Sequence, residues 1–407
     1  MEKGKLILDI LLLAVGLLIG GFAGITSFAW VEMTSQAIAD LFIHFLKLIS
    51  LPLIFLSIIS TLSGMSNLKE MNNLGKRVFG YTLLTTLLAA TSALVLFQVI
   101  QPVASIPTTV IENSSKGYLS FFINIVPDNL VKAFLENNVI GVAFLAILMG
   151  CASLVLPQEQ RVTINQFFKA IFALFLQMTK WVLRLMPIGI AAFTCLLVID
   201  LKTNGAQAAG LSKYLLCVLA ANIVQGFVIL PLLLKLKKQS PLAVVKGMLP
   251  ALILAFFSKS SNATLPVAMT CCEKNLNVSN KVTGFSLPLC TVINMNGCAA
   301  FILITVLFVA TANGMTFTLM EGVTWIFLAT LAAIGNAGVP MGCFFLTSAF
   351  LTGMHVPLAI MGLILPFYAL IDMVETSLNV WSDGCVTVLV DKDLKKQESY
   401  ENRCANI

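Results

Sequence analysis

The sequence predicts an all-α polytopic membrane protein: eight transmembrane helices plus two re-entrant helical hairpins, arranged as inverted repeats. Three observations carry that expectation. First, 58% of the 407 residues are hydrophobic and 11% are charged, against roughly 25% charged in an ordinary soluble domain. Second, the apolar residues fall in long runs, and about 20 helical residues rising about 1.5 Å each cross a hydrocarbon core of about 30 Å. Third, in the last third of the chain the apolar runs are interrupted near their centres by Ser, Asn, Gly and Pro.

In chain order, Leu6 to Trp30 is a retained first span, too long for a signal-peptide core and without a small-residue cleavage site. Ile38 to Leu62, Val78 to Ile100, Val139 to Leu156, Phe167 to Ile199 and Leu211 to Leu236 follow as ordinary spans. Pro241 to Cys272 and Val323 to Phe350 are expected hairpins, and Thr283 to Ala312 and Val356 to Val390 the broken spans paired with them. Both hairpin tips, Ser258-Lys259-Ser260-Ser261-Asn262-Ala263-Thr264-Leu265-Pro266 and Gly335-Asn336-Ala337-Gly338-Val339-Pro340, are small, polar and closed by proline. Unwound peptide groups in hydrocarbon each cost several kcal/mol unless they line a cavity or hold a ligand, so breaks at depth mark a pathway. Two hairpins entering from opposite faces, each beside an interrupted helix, place a binding site near the midplane.

The charges agree with this order. Lys3, Lys5, Lys69, Lys76, Arg77, Arg161, Lys235, Lys237, Lys238, Lys392, Lys395 and Lys396 share one side, against Lys116, Lys132, Lys202 and Lys213 on the other, which puts both termini in the cytoplasm. The longest loop, Gln101 to Asn138, contains the sequon Asn113-Ser114-Ser115. The 25 Lys and Arg against 19 Asp and Glu are explained by topology, so no nucleic-acid partner is expected. His44 and His355 are the two histidines, too few for a multi-histidine metal centre. No nucleophile is paired with a base, so the chain is not expected to be an enzyme, and no Walker motif powers it with ATP. The ten cysteines read as reduced apolar packers.

Within the broken spans, Thr291-Val292-Ile293-Asn294-Met295-Asn296-Gly297-Cys298 invites local unwinding that exposes carbonyl oxygens suited to Na⁺. In the last span Asp372, Glu375, Thr376, Asn379 and Asp383 follow helical spacing and form one stripe. A carboxylate at that depth costs a few kcal/mol or more unless a sodium ion, a proton, a substrate ammonium or a basic side chain pairs with it. Lys259 is a candidate structural partner for one of them.

These motifs resemble the dicarboxylate/amino acid:cation symporter family, the glutamate-transporter homologues. The carrying text is Ser260 to Pro266, Asn294-Met295-Asn296-Gly297-Cys298, Gly335 to Pro340, and Asp372, Thr376, Asn379 and Asp383, with Pro52, Ile125-Val126-Pro127 and Pro187-Ile188-Gly189 extending the match over nearly the whole chain. The resemblance implies a homotrimer working as an elevator. Residues 1–239 would form mainly scaffold and trimerisation spans, 240–391 the transport core, and 392–407 a polar cytoplasmic tail. It implies Ser261, Asn262, Cys298, Val339, Asp372, Glu375, Thr376 and Asn379 around substrate, with Asp372 on the α-ammonium and Asn379 and Ser261 near the α-carboxylate. For cations it implies Asn294, Asn379, Asp383 and the Cys290 carbonyl at one site, carbonyls of Val292, Ala333, Ile334 and Asn336 at a second, and Thr85, Thr86 and Asn296 at a third.

The departures set the expected substrate. Asn296 stands where the family usually has Asp, Cys298 replaces a threonine, and Glu375 stands where acidic-substrate members have arginine. A glutamate repels a second substrate carboxylate by roughly several kcal/mol when poorly solvated. The expected function is a cation-coupled symporter importing an amino acid that is neutral or carries a second amino group. Sodium is the expected driver and H⁺ the alternative, with no other cofactor. The competing expectation is a glutamate, aspartate or C4-dicarboxylate symporter in which Lys259 takes the arginine's role. The partners are the amino acid, Na⁺ and the bilayer, and the expected location is the bacterial inner membrane.

Overall fold

The computed structural model describes residues 2–26, 28–64, 74–102, 126–136, 138–203, 205–334, 336 and 341–405, and every regular element among them is helical. The first half comprises α1 (Glu2–Thr26), α2 (Ala29–Ser63), α3 (Leu74–Ile100), α4 (Leu130–Leu135), α5 (Val139–Val155), α6 (Gln158–Arg184), α7 (Met186–Thr203) and α8 (Gly205–Val224). A π-helical turn, Gln225–Ile229, joins α8 to α9 (Leu230–Leu236). The second half comprises α10 (Pro241–Ser258), α11 (Ser261–Thr270) with a π turn at Cys271–Asn275, α12 (Asn280–Ile293), α13 (Asn296–Ala312), α14 (Leu319–Ile334), α15 (Gly342–Gly353) and α16 (Ala359–Ala405). Among the described residues six helical stretches are long and apolar enough to cross a membrane, which makes this a multi-pass integral membrane protein.

α1 shows how such helices pack without a hydrophobic driving force between them. Gly16, Gly20 and Gly24 recur every fourth residue and face the backbone of Pro187, Ala191 and Cys195 on α7, leaving no room for a Cβ. Small residues at this spacing allow two helix backbones to approach closely.

The first expected hairpin folds back on itself. Gly247 of α10 lies against Asn275 and Leu276, and Asn275 Nδ2 donates to the Gly247 carbonyl at 2.8 Å. In the second, Trp325 of α14 and Phe350 of α15 meet edge to face with centroids 5.3 Å apart, and both helices pack on α13. The helix after the first hairpin is interrupted as expected, with Asn294 (φ −102°, ψ 68°) and Met295 (φ −106°, ψ 66°) between α12 and α13.

Three expectations are corrected. Val356 to Val390 is not broken: α16 runs 47 residues through Pro366 and Gly384, continuing helically into the polar tail. Asn379, Ser382 and Asp383 keep to one stripe and find partners around the Asn294–Gly297 stretch, without this helix opening its own backbone. The run Phe167 to Ile199 is two helices, divided at Leu185 just before Pro187, which lacks an N–H and disfavours helical backbone before it. The cysteines are not all separate packers: Cys298 and Cys343, with Cα atoms 5.4 Å apart, form a disulfide pair. Val339, most of the second tip, and the Asn113 sequon lie outside the described residues.

Two hydrophobic cores hold the helices. The larger joins α2, α3, α5, α7 and α8 to α13, α14, α15 and α16 as far as Ile371. The smaller joins α9 to α12 with α16 from Leu378 onward. Their seam crosses the unwound Asn294–Met295 junction and the α16 segment between Ile371 and Leu378. The polar stripe therefore lies where apolar packing changes hands.

Candidate functional site

The first hairpin tip is a two-residue turn. Lys259 caps α10 in the left-handed region (φ 51°), its N–H reaching the Ala255 carbonyl at 3.0 Å. Ser260 then caps α11, its Oγ accepting from Ala263 N–H at 3.2 Å. This leaves Ser261 and Asn262 in the first turn of a ten-residue helix, whose unpaired N–H groups and positive dipole end favour a carboxylate. Both line a cavity closed by Lys259, Met295, Cys298, Asn336, Cys343, Asp372, Glu375, Thr376 and Asn379. All the expected substrate residues among the described ones, drawn from three separate segments, thus meet around one space.

Within that cavity the partners are unequal. Thr376 Oγ1 donates to the Asp372 carbonyl at 2.7 Å. Asn379 Oδ1 accepts from Gly297 N–H at 2.9 Å, while its Nδ2 faces Met295 Sδ and Cys298 Sγ at 3.4 and 3.6 Å. Asn336 Nδ2 points at Cys298 Sγ and Cys343 Sγ, 3.0 and 3.1 Å away. Glu375 is 1% exposed and neither of its oxygens has a hydrogen-bond partner.

Deeper along α16 the polar groups interlock. Thr85 and Thr86 of α3 donate to Asn294 Oδ1 and Asn296 Oδ1 at 3.0 and 2.9 Å. Asn294 Nδ2 donates to Ser382 Oγ and Asp383 Oδ1, both at 2.9 Å, and Asn296 Nδ2 donates to Ser382 Oγ at 2.6 Å. Asp383 Oδ2, buried, is left without a partner. A buried carboxylate oxygen beside side-chain amide and hydroxyl oxygens, next to the last carbonyls of α12, fits a hard monovalent cation.

The first and third expected cation sets merge. Asn294, Asp383, Thr85, Thr86 and Asn296 form one connected network, with Asn379 a turn away on α16, and the Cys290 carbonyl already accepts Asn294 N–H at 2.8 Å. Ala333 accepts Asn336 N–H at 3.1 Å at the end of α14, beside Ile334. Val292 is the next-to-last residue of α12, and no described hydrogen bond joins it to that group.

Sequence reading missed Ser382 and Gln225. Ser382 bridges both asparagines, and its position three residues after Asn379 on the stripe was the available signal. Gln225, a lone amide in an apolar run at the π turn, donates to the Thr85 carbonyl at 3.1 Å and so holds α8 to α3. Cys343 joined the cavity with no local signal at all.

A family model described as the sodium:dicarboxylate symporter family matches residues 9–393. The chain is 27% identical over 427 residues to neutral amino acid transporter B(0) of Homo sapiens, covering 95% of this chain and 79% of that protein. Over 427 residues it is 28% identical to the Bos taurus protein of the same name, covering 95% and 78%. It is 28% identical over 396 residues to an excitatory amino acid transporter of Caenorhabditis elegans, covering 85% and 78%.

Proposed function

The chain belongs to the sodium:dicarboxylate symporter family, and on that premise we propose that it is a sodium-coupled symporter that imports an amino acid, neutral or with a second amino group. The observation that carries this is the set of buried, partnerless carboxylate oxygens on α16, one on Asp383 and two on Glu375, the latter lining a cavity edged by a helix N-terminus. Anions in oil need cations. The cargo and its sodium supply them and take them away again.

In this reading Asp372 holds the α-ammonium, and the first turn of α11 with Asn379 holds the α-carboxylate. Sodium rests against Asp383 and Asn294, and a second ion at the ends of α12 and α14, near Val292, Ala333, Ile334 and Asn336. Thr85, Thr86 and Asn296 form a further oxygen cluster whose lack of an acid weakens it as an ion site. Val339 is assigned to the substrate. The finer architecture is eight spans with two re-entrant hairpins, and a transport core of residues 240–391 moving as an elevator in a homotrimer against residues 1–239, which are mainly scaffold with the third and sixth spans partly joining the core, and residues 392–407 as the tail. Both termini face the cytoplasm, in a bacterial inner membrane.

The dicarboxylate alternative asks Lys259 to receive a second carboxylate. It is the weaker reading, because such a carboxylate would meet Glu375. The test is uptake in sealed proteoliposomes. Labelled amino acid should accumulate against its gradient when an inward sodium gradient is imposed and fail to do so with choline in its place. Equal equilibration in both would mean a passive pore.

A further inference from the structure

Glu375 presents an unresolved charge problem that symport alone does not answer. Its stem is fixed: a Cβ built on Gly297 would lie 2.9 Å from Glu375 Cα and 3.1 Å from its Cγ, so α13 holds the side chain in place. Its carboxylate shares a space with Cys298 and Cys343, their ligand atoms lying within 4.8 Å of one another. Neither oxygen has a partner. Lys259 is the one basic residue among the described lining, and no described ion pair or hydrogen bond joins it to Glu375.

We propose that Glu375 is the subsite for a cationic side chain of the substrate, so that the preferred cargo is an α-amino acid bearing a second, side-chain ammonium. This rests on the amino-acid symport reading and deepens it. Asp372 takes the α-ammonium and Glu375 the side-chain ammonium, one helical turn away. Residues three apart on a helix have Cβ atoms about 5–6 Å apart, a separation that suits the two nitrogens of an ornithine-length chain. The paired sulfurs of Cys298 and Cys343 beside Glu375 neither repel a cation nor compete strongly for hydrogen bonds, and they accept the methylene stem.

Ornithine and norvaline have the same carbon skeleton and differ by the side-chain ammonium, so they isolate this subsite. In sodium-loaded uptake with purified, reconstituted protein, ornithine should be preferred over norvaline by at least about 100-fold. Glu375→Gln should reduce that ratio to near one. Glu375→Asp, which keeps the charge on a shorter stem, should keep the preference for cations and move the optimum from ornithine toward lysine. The Asp variant also stands as the test should the Gln variant fail to fold. Sodium-driven accumulation of norvaline equal to that of ornithine, or an ornithine preference unchanged in Glu375→Gln, would overturn the inference while leaving symport intact. Accumulation of no α-amino acid under a sodium gradient would overturn both.

Discussion

At Asp383 the polar groups of α16 are almost all paired; at Glu375, about two turns earlier, they are not. The Asp383 region is tied by Thr85, Thr86, Asn294, Asn296 and Ser382 into a network with one orphan carboxylate oxygen. The Glu375 region has two orphan oxygens, sulfur neighbours and a cavity. Glu375 and Asp383 are equally buried, each 1% exposed. The difference teaches that burial alone does not separate structure from cargo site: the paired network fixes one geometry, ready for a small ion, whereas the unpaired region leaves room for a molecule. Fully satisfied buried networks rigidify and specify, and partnerless buried charge persists only when something mobile relieves it.

That contrast can be broken most severely at Asp372. Asp372→Asn removes the anion proposed to hold the α-ammonium, and amino-acid uptake should fall at least about 100-fold while sodium still stabilises the protein. Unimpaired uptake would remove its role. Gly297→Ala comes next. It forces a methyl against Glu375 and strains the Gly297 N–H bond to Asn379; such overpacking costs typically about 1–3 kcal/mol, and both thermal stability and substrate affinity should drop. A variant as stable and active as the parent would mean the helices are looser than described.

Ser382→Ala tests the paired region. It strips one acceptor from two buried amides, at about 1–3 kcal/mol, and should weaken sodium dependence several-fold with the ornithine-to-norvaline ratio unmoved. A change in that ratio would show the two regions to be one. The smallest effect belongs to Asp128→Ala, which removes an exposed ion pair with Lys132 far from the stripe. Neither melting temperature nor uptake should shift measurably.

What was legible in the sequence was chemical punctuation. Ser260, Asn294 and the α16 stripe announced themselves because polar groups are rare in apolar runs, and the hairpin at Lys259 and the unwinding at Asn294 follow from them. Pro366 and Pro187 look alike in the text, yet α16 absorbs the first while α6 and α7 part beside the second. Long-range packing decides that, and local text does not carry it. For the same reason Cys343, brought beside Cys298 by helices 45 residues apart, and Gln225, reaching across to Thr85, went unseen.

The claim on which the rest depends is that Asp383 is tolerated in the membrane because a sodium ion relieves it. The direct measurement is the melting temperature of purified protein titrated with NaCl against choline chloride, for the parent and for Asp383→Asn. Ligand at 100 times its Kd stabilises by about 2.7 kcal/mol, so the parent should gain several degrees in sodium alone and Asp383→Asn should gain none. An equal sodium-dependent gain in both proteins would contradict the claim.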